Sequence, residues 1–201
     1  MGLFKQKIDF SQFLADLISF QYDFLENNFN KLVVLADEFK VLTEKDKEDF
    51  FDKAHELIIV DILVSCSQRF YKNLSSEEIG EAVSIVYAKY LIEHKKISKI
   101  LAEEKLGKVM KLFDLVGKAE EEVQKRDEHY KKIGYKSYPK IDNDIDGQKF
   151  YLCSGFSNYY AGEDIKSENL EGKHFAAFKL AKGFVKSDIV GQSLKHYSVA
   201  F

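Results

Sequence analysis

A single proline, Pro139, divides the 201-residue chain into two unlike parts. Proline interrupts helices because it removes a backbone donor and clashes with the preceding turn, so the long proline-free stretch before it is free to be helical. Apolar residues recur there at helical spacing, whereas aromatic residues dominate the segment that follows. The sequence predicts one mostly all-α domain: an antiparallel bundle of four long helices over residues 1–134, with an irregular aromatic extension and a fifth helix over residues 135–201.

The first two helices are predicted from apolar spacing and one capping signal. Apolar residues over 10–42 fall on a three-four spacing, which is typical of a helix that buries one face, with Gln21 and Asn28 in the intervening slots. They are Leu14, Leu17, Leu25, Leu32, Leu35, Phe39 and Leu42. Thr43 and Asp46 have the spacing of a capping box, and they predict that a second helix begins there and runs to about residue 72. The part of it around residues 57–64 is apolar almost all round, so we expect it to be the most buried helix.

The third and fourth helices are separated by a break near residues 94–98. Ser75 and Glu78 form the clearest capping box in the chain, which predicts a helix start at that point. The chain either turns or bends after His94, and a further helix keeps its apolar spacing as far as Gly134. Glycine is the usual left-handed terminator of a helix, so we expect the helix to end there.

The segment after Pro139 has no clear helical period. Residues 135–172 are rich in tyrosine and phenylalanine, which predicts an ordered but irregular extension, with short strands near residues 149–153. A last helix is predicted over about residues 173–198. It places Phe175, Phe178, Val185 and Ile189 on one face and its lysines on the other, towards solvent.

Charge and composition exclude several classes of function. The 30 basic and 33 acidic side chains give a formal charge of −3, without the positive surplus that binding to a nucleic acid backbone needs. Cys66 and Cys153 lie far apart and show no metal-binding or disulfide spacing. There is no run of about 18 apolar residues, so we expect no transmembrane segment and a cytoplasmic location.

The most specific metal motif is the run from Asp142 to Gly147. Asp142, Asp144 and Asp146 alternate as the first ligands of a calcium loop do, and Gly147 takes the place of the turn glycine. The twelfth position, which should supply two carboxylate oxygens, is Cys153. The simpler interpretation is a turn whose aspartates hydrogen-bond to their own backbone, with calcium as the alternative.

Two helical features also invite a chemical interpretation. Asp52 and His55 share a helix face at the spacing of half a di-metal site, and His94 is the other histidine on a bundle face, so a metal or haem site inside the bundle is considered. No second pair completes a di-metal set. Asp61 interrupts the apolar run of the second helix, and we interpret it as part of a narrow wet face shared with Ser65, Gln68 and Lys72.

These observations favour a non-enzymatic binding or scaffold protein. It would present an aromatic surface or a bundle groove to a partner protein or an apolar small molecule, and homo-oligomerisation is left open. Tyrosine and phenylalanine bury large areas at low entropic cost, which suits binding. The predicted partner-binding residues are Tyr138, Phe150, Tyr151, Tyr159 and Tyr160. The alternative is a metal-dependent protein, with calcium at the Asp142–Asp146 loop or a metal or haem inside the bundle.

Overall fold

The computed structural model describes residues 5–37, 42–132, 147–161, 170–185 and 188–201. These residues form a mostly all-α helical bundle with one short pair of strands, which confirms the predicted fold class. The helices are α1 (Phe10–Asp37), α2 (Glu44–Phe70), α3 (Ser76–Glu93), α4 (Lys99–Lys132), α5 (Gly147–Ala161), α6 (Leu170–Val185) and α7 (Ile189–Ser193). The strands are β1 (Gln6–Asp9) and β2 (Tyr197–Ala200), which pair in parallel.

Both predicted capping boxes are present. At the start of α2 the Asp46 amide donates to the Thr43 hydroxyl (3.2 Å), and the Thr43 amide donates to the Asp46 carboxylate (2.9 Å). At the start of α3 the same reciprocal bonds join Ser75 and Glu78, at 3.2 and 2.7 Å. Each box satisfies amides that a helix start leaves without partners, which is why these two starts were readable from the sequence.

Helix α2 forms the centre of the core, as the sequence predicted. Every residue from 54 to 63 is buried. The Phe10 ring of α1 packs on Phe70 at 5.5 Å between centroids, and Phe29 packs on Phe50 at 6.0 Å, so α1 and α2 run antiparallel. On another side of α2, Phe50 also meets Phe156 of α5 at 5.6 Å. Neighbours on several sides explain the apolar character of α2.

The prediction of an irregular extension, with short strands near residues 149–153, is wrong over residues 147–161, which form α5. Helix α5 packs against α2, α4 and α6. A helix enclosed on several sides needs no polar face, so it lacks the single apolar stripe by which helices are recognised in a sequence. The predicted helix end at Gly134 lies outside the described residues.

The prediction for the last helix is wrong in its extent and at one residue of its buried face, Phe175, whereas Val185 and Ile189 are buried as predicted. Helix α6 ends at Val185, Asp188 then caps the short α7 by accepting from the Gly191 amide (3.0 Å), and residues 197–200 form β2. Phe175 is 48 % exposed. The buried face instead carries Ala176, Ala177, Leu180 and Ala181. Alanines have short side chains, so they permit a close approach to α5.

Candidate functional site

An open apolar groove lies between α2, α3 and α4 and has a volume of about 980 Å³. Ile59 and Leu63 of α2, Val83 of α3 and Val109 of α4 are buried at its floor. Met110 and Phe113 stand at its edge and are 48 % and 38 % exposed. Large apolar side chains that are left half in water around a concave apolar floor are typical of an interaction site.

Small side chains on α3 keep this groove open. Ser76, Gly80 and Ser84 are four residues apart, so they lie one above another on one helix face, and all three line the groove. A Cβ atom added to Gly80 would meet no heavy atom within 4 Å. Glu77 and Glu81, which are exposed, also line the α3 side and make it acidic.

A second feature, the polar centre, consists of Tyr22, His55, Glu56 and Tyr87 and lies inside the bundle. The Tyr22 hydroxyl donates to the Tyr87 hydroxyl at 2.7 Å, which joins α1 to α3. The His55 ring packs on the Tyr22 ring at 4.5 Å between centroids. Its Nδ1–H donates to the carbonyl oxygen of Phe51 at 2.9 Å, because a carbonyl only accepts. Burial raises the pKa values of both tyrosines above their ordinary value.

Glu56 and His55 are buried next to each other in this centre. Glu56 is 1 % exposed, and its Oε2 has no hydrogen-bond partner among the described residues. Burial raises the pKa of the Glu56 carboxyl to about 7, against the smaller opposing effect of Lys105. His55 is 7 % exposed, and burial lowers the pKa of its ring to about 4. Burial disfavours the charged form of either group, which explains the opposite directions.

Asp61 is buried rather than part of a wet face, so that interpretation is wrong. Lys149 of α5 forms an ion pair with Asp61, and the Ser65 hydroxyl lies 3.5 Å from the same carboxylate. Gln68 and Lys72 are exposed, as predicted. Burial raises the pKa of the Asp61 carboxyl, and the ammonium group of Lys149 offsets part of that rise. The pair joins α2 to α5. Its formation could not be predicted, because the sequence analysis did not recognise α5 as a helix.

The predicted aromatic surface is contradicted at two of its residues. Tyr159 and Tyr160 are buried, and the Tyr160 hydroxyl donates to the carbonyl oxygen of Asp46 at 2.8 Å. Tyr151 is half-buried and packs against the core. These side chains belong to the inner side of α5, because that helix is enclosed by its neighbours. Tyr138 and the side chain of Phe150 lie outside the description.

The predicted metal residues fall into two groups. Asp142, Asp144 and Asp146 lie outside the described residues, so calcium binding there stays a prediction. Within the described part of the chain, no three histidine, cysteine, aspartate or glutamate side chains come close enough to hold a metal ion. His94 instead stacks on Tyr90 at 5.3 Å, and the His55 ring lies against Phe51 and Tyr22. The described side chains therefore lend no support to a metal or haem site inside the bundle.

The sequence analysis missed both the groove and Glu56. The spacing of Ser76, Gly80 and Ser84 was a visible signal for a helix face without large side chains. Glu56 gave a weaker signal, since it stands directly before the apolar run of α2, where a charged residue is usually solvated. Its burial depends on the packing of other helices around α2, which the local sequence does not encode.

The class of protein that these features define is a mostly all-α helical bundle with an open apolar groove. Within the described residues, none of the helices has an apolar stretch long enough to span a bilayer. No protein-family model matches the chain, and neither a curated protein nor a solved structure resembles it significantly.

Proposed function

We propose that this bundle is a non-enzymatic binding protein whose α2/α3/α4 groove receives a basic amphipathic helix of a partner protein. The observation that carries the proposal is the groove itself, with its buried apolar floor and the half-exposed Met110 and Phe113 at its edge. Helix-in-groove recognition uses an apolar face on the guest and a hydrophobic channel on the host.

The length of the groove supports a helical guest. Along α4 its lining extends from Leu106 to Gly117, which corresponds to about 16 Å, or three helical turns. A guest helix of that length presents apolar anchors at positions i, i+3, i+4 and i+7. The small residues Ser76, Gly80 and Ser84 allow its backbone to approach α3 closely.

The charge of the edge favours a basic guest. Glu77 and Glu81 line the α3 side, so lysine or arginine beside the apolar face of the guest would meet carboxylates. Such contacts at an exposed edge contribute mainly to specificity and to the rate of association. An apolar small molecule is the less favoured occupant, because drug-sized ligands are usually buried over most of their surface, whereas this groove is partly open to solvent.

The test uses a fluorescent model peptide of about 18 residues, with leucine at i, i+3, i+4 and i+7 and lysine beside them. Fluorescence anisotropy should show saturable binding, with a Kd of about 100 μM or tighter. A scrambled peptide of the same composition, and one with glutamate for lysine, should each bind at least about tenfold more weakly.

The matched protein variants are Gly80→Leu and Gly107→Leu. A Cβ at either glycine meets nothing within 4 Å, but only Gly80 lines the groove. Gly80→Leu should therefore abolish peptide binding, while Gly107→Leu should leave it unchanged. Equal binding by the two variants, or no binding by the natural protein, would contradict the proposal. If a long-chain alcohol binds instead and Gly80→Leu blocks it, the groove serves an apolar small molecule and the helix proposal fails.

A further inference from the structure

The polar centre holds two adjacent titratable groups without a counter-ion. Glu56 and His55 both lie in the stretch of α2 that is buried throughout. Among the described residues, no side chain forms an ion pair with either one, and Oε2 of Glu56 also lacks a neutral hydrogen-bond partner. An unpaired charge in such a place would be costly, since burial removes its hydration without replacing it.

Charged and titratable groups act on this pair from α2 itself and from four neighbouring helices. Helix α4 brings Lys105, whose charge acts on both groups, and Lys108, whose charge acts on Glu56. Helix α1 brings Tyr22 and also Glu26, which acts on His55, while α2 itself contributes Asp52. The hydroxyls of Tyr87 on α3 and Tyr159 on α5 complete the surroundings.

These surrounding charges act on the pair only over a distance. Their effects partly cancel, because the lysines favour an ionised Glu56 and Asp52 opposes it. Burial is the larger influence on both groups. In mildly acidic solution neither side chain therefore receives enough compensation to remain charged in the buried interior.

We propose that His55 and Glu56 form a neutral pair in the folded bundle, so that folding in mildly acidic solution discharges one cationic and one anionic side chain on the same turn of α2. The unfolded chain carries both charges under those conditions. Folding then releases one proton from the histidine and takes up one on the glutamate. Charge and protons balance within the chain, and no external partner is required.

The two groups act on stability in opposite directions. Burial raises the pKa of Glu56 from 4.5 to about 7. The stability that Glu56 contributes is therefore complete below pH 4.5 and is lost as the pH rises through 7. Burial lowers the pKa of His55 from 6.5 to about 4. Its contribution is complete above pH 6.5 and is lost as the pH falls through 4.

The two windows overlap between pH 4.5 and pH 6.5. In that range each group alone would change the unfolding equilibrium about tenfold per pH unit, with opposite signs. The contributions cancel while both groups are present. The joint contribution of the pair to stability thus changes little on mild acidification, and removing either member would expose the pH dependence of the other.

The experiment is urea unfolding of the full chain from about pH 4 to about pH 8, followed by helical circular dichroism. The variants are Glu56→Gln and His55→Asn, and the control is Glu48→Gln, which changes an exposed glutamate on the same helix. Relative to the natural protein, the unfolding constant of Glu56→Gln should fall about 300-fold as the pH rises across the range. That of His55→Asn should fall by a similar factor as the pH decreases. The ratio for Glu48→Gln should stay constant.

A flat ratio for Glu56→Gln or for His55→Asn would overturn the proposal, because it would mean that the group keeps its ordinary titration in the fold. If a variant does not fold, carbon NMR of the natural protein decides. A Glu56 carboxyl that titrates near pH 7 and a His55 ring that is neutral at pH 5 support the pair. A Glu56 midpoint below pH 5 or a charged His55 at that pH excludes it.

Discussion

The two sides of α4 differ sharply in how closely they pack. On the side facing α5, a Cβ atom added to Gly155 would lie 2.7 Å from the Cα and the amide nitrogen of Val116. On the side facing the groove, a Cβ added to Gly117 would meet nothing within 4 Å. Val116 belongs to both sides, because it also lines the groove. One helix thus forms a backbone-to-backbone contact and an open surface at neighbouring residues.

This difference shows that a glycine in a helix carries no single meaning. At Gly155 the missing side chain permits two backbones to touch, whereas at Gly117 and Gly80 it leaves open space. The first kind of glycine is required by the fold. The second kind lowers helix stability and is not needed for the packing of the helices.

Among the contacts of α5, the ion pair of Lys149 with Asp61 should contribute most to stability. Replacing it in Lys149→Met leaves Asp61 buried without its cationic partner, so we expect a loss of about 3 to 5 kcal/mol in the free energy of unfolding at neutral pH. Lowering the pH should reduce the loss, because the pKa of Asp61 is already raised and a protonated carboxyl brings no charge into the core. Urea unfolding at several pH values measures both effects. Lys99→Met removes an exposed pair with Glu103 and should cost less than about 0.5 kcal/mol.

Gly155→Ala should be the next most damaging change. The new methyl group would overlap the backbone of Val116, which cannot move aside as a flexible side chain can, so we expect a loss of about 2 to 3 kcal/mol. Thermal unfolding checks this, with Gly107→Ala as the matched change at an exposed, open position on α4. A loss below about 0.5 kcal/mol in Gly155→Ala would show that α4 and α5 are further apart than the structure places them.

A polar substitution at the edge of the groove should have only a modest effect on stability. Phe113 is already partly in water, so Phe113→Ser should cost about 1 to 2 kcal/mol, less than the loss of a fully buried phenylalanine. The same variant should weaken binding of the leucine-lysine peptide at least about tenfold. Phe113→Ser should therefore affect binding more than stability, whereas Gly155→Ala should affect stability more than binding. Chemical denaturation and fluorescence anisotropy on the same samples separate the two effects. A large stability loss here would mean that the groove is closed in solution.

Gly117→Ala should produce the smallest change and the opposite sign. The methyl group enters open space, and alanine is the better helix former, so we expect a gain of about 0.5 to 1 kcal/mol. Differential scanning calorimetry of Gly117→Ala beside Gly155→Ala would give the sharpest form of the comparison. A loss of stability in both variants would remove the distinction between the two sides of α4.

The sequence predicted those elements whose signals are local. Thr43 and Ser75 predict the starts of α2 and α3, because a capping box involves only four consecutive residues. Helix α5 could not be recognised from the sequence, because a helix packed on several sides carries apolar residues on several faces and has no single apolar stripe. The burial of Asp61 also depended on α5, which supplies Lys149 from a distant part of the chain.

The candidate site was predictable only in outline. A bundle groove was one of two surfaces considered, and its place between α2, α3 and α4 depends on helix packing that no single segment encodes. The aromatic alternative at Tyr159 and Tyr160 failed because large apolar side chains serve a core as readily as a surface. The polar centre required Tyr22, His55 and Tyr87 to meet from three helices.

The parallel pairing of β1 with β2 also has a mechanical consequence. Gln6 pairs with Tyr197 and Asp9 with Ala200, so the two strands point in the same direction. Tension applied before β1 and after β2 pulls them past each other along their common axis. Their hydrogen bonds then carry the load together, in shear, rather than breaking one after another. Under such tension, the helices would therefore bear load only after the pairing of β1 with β2 has broken.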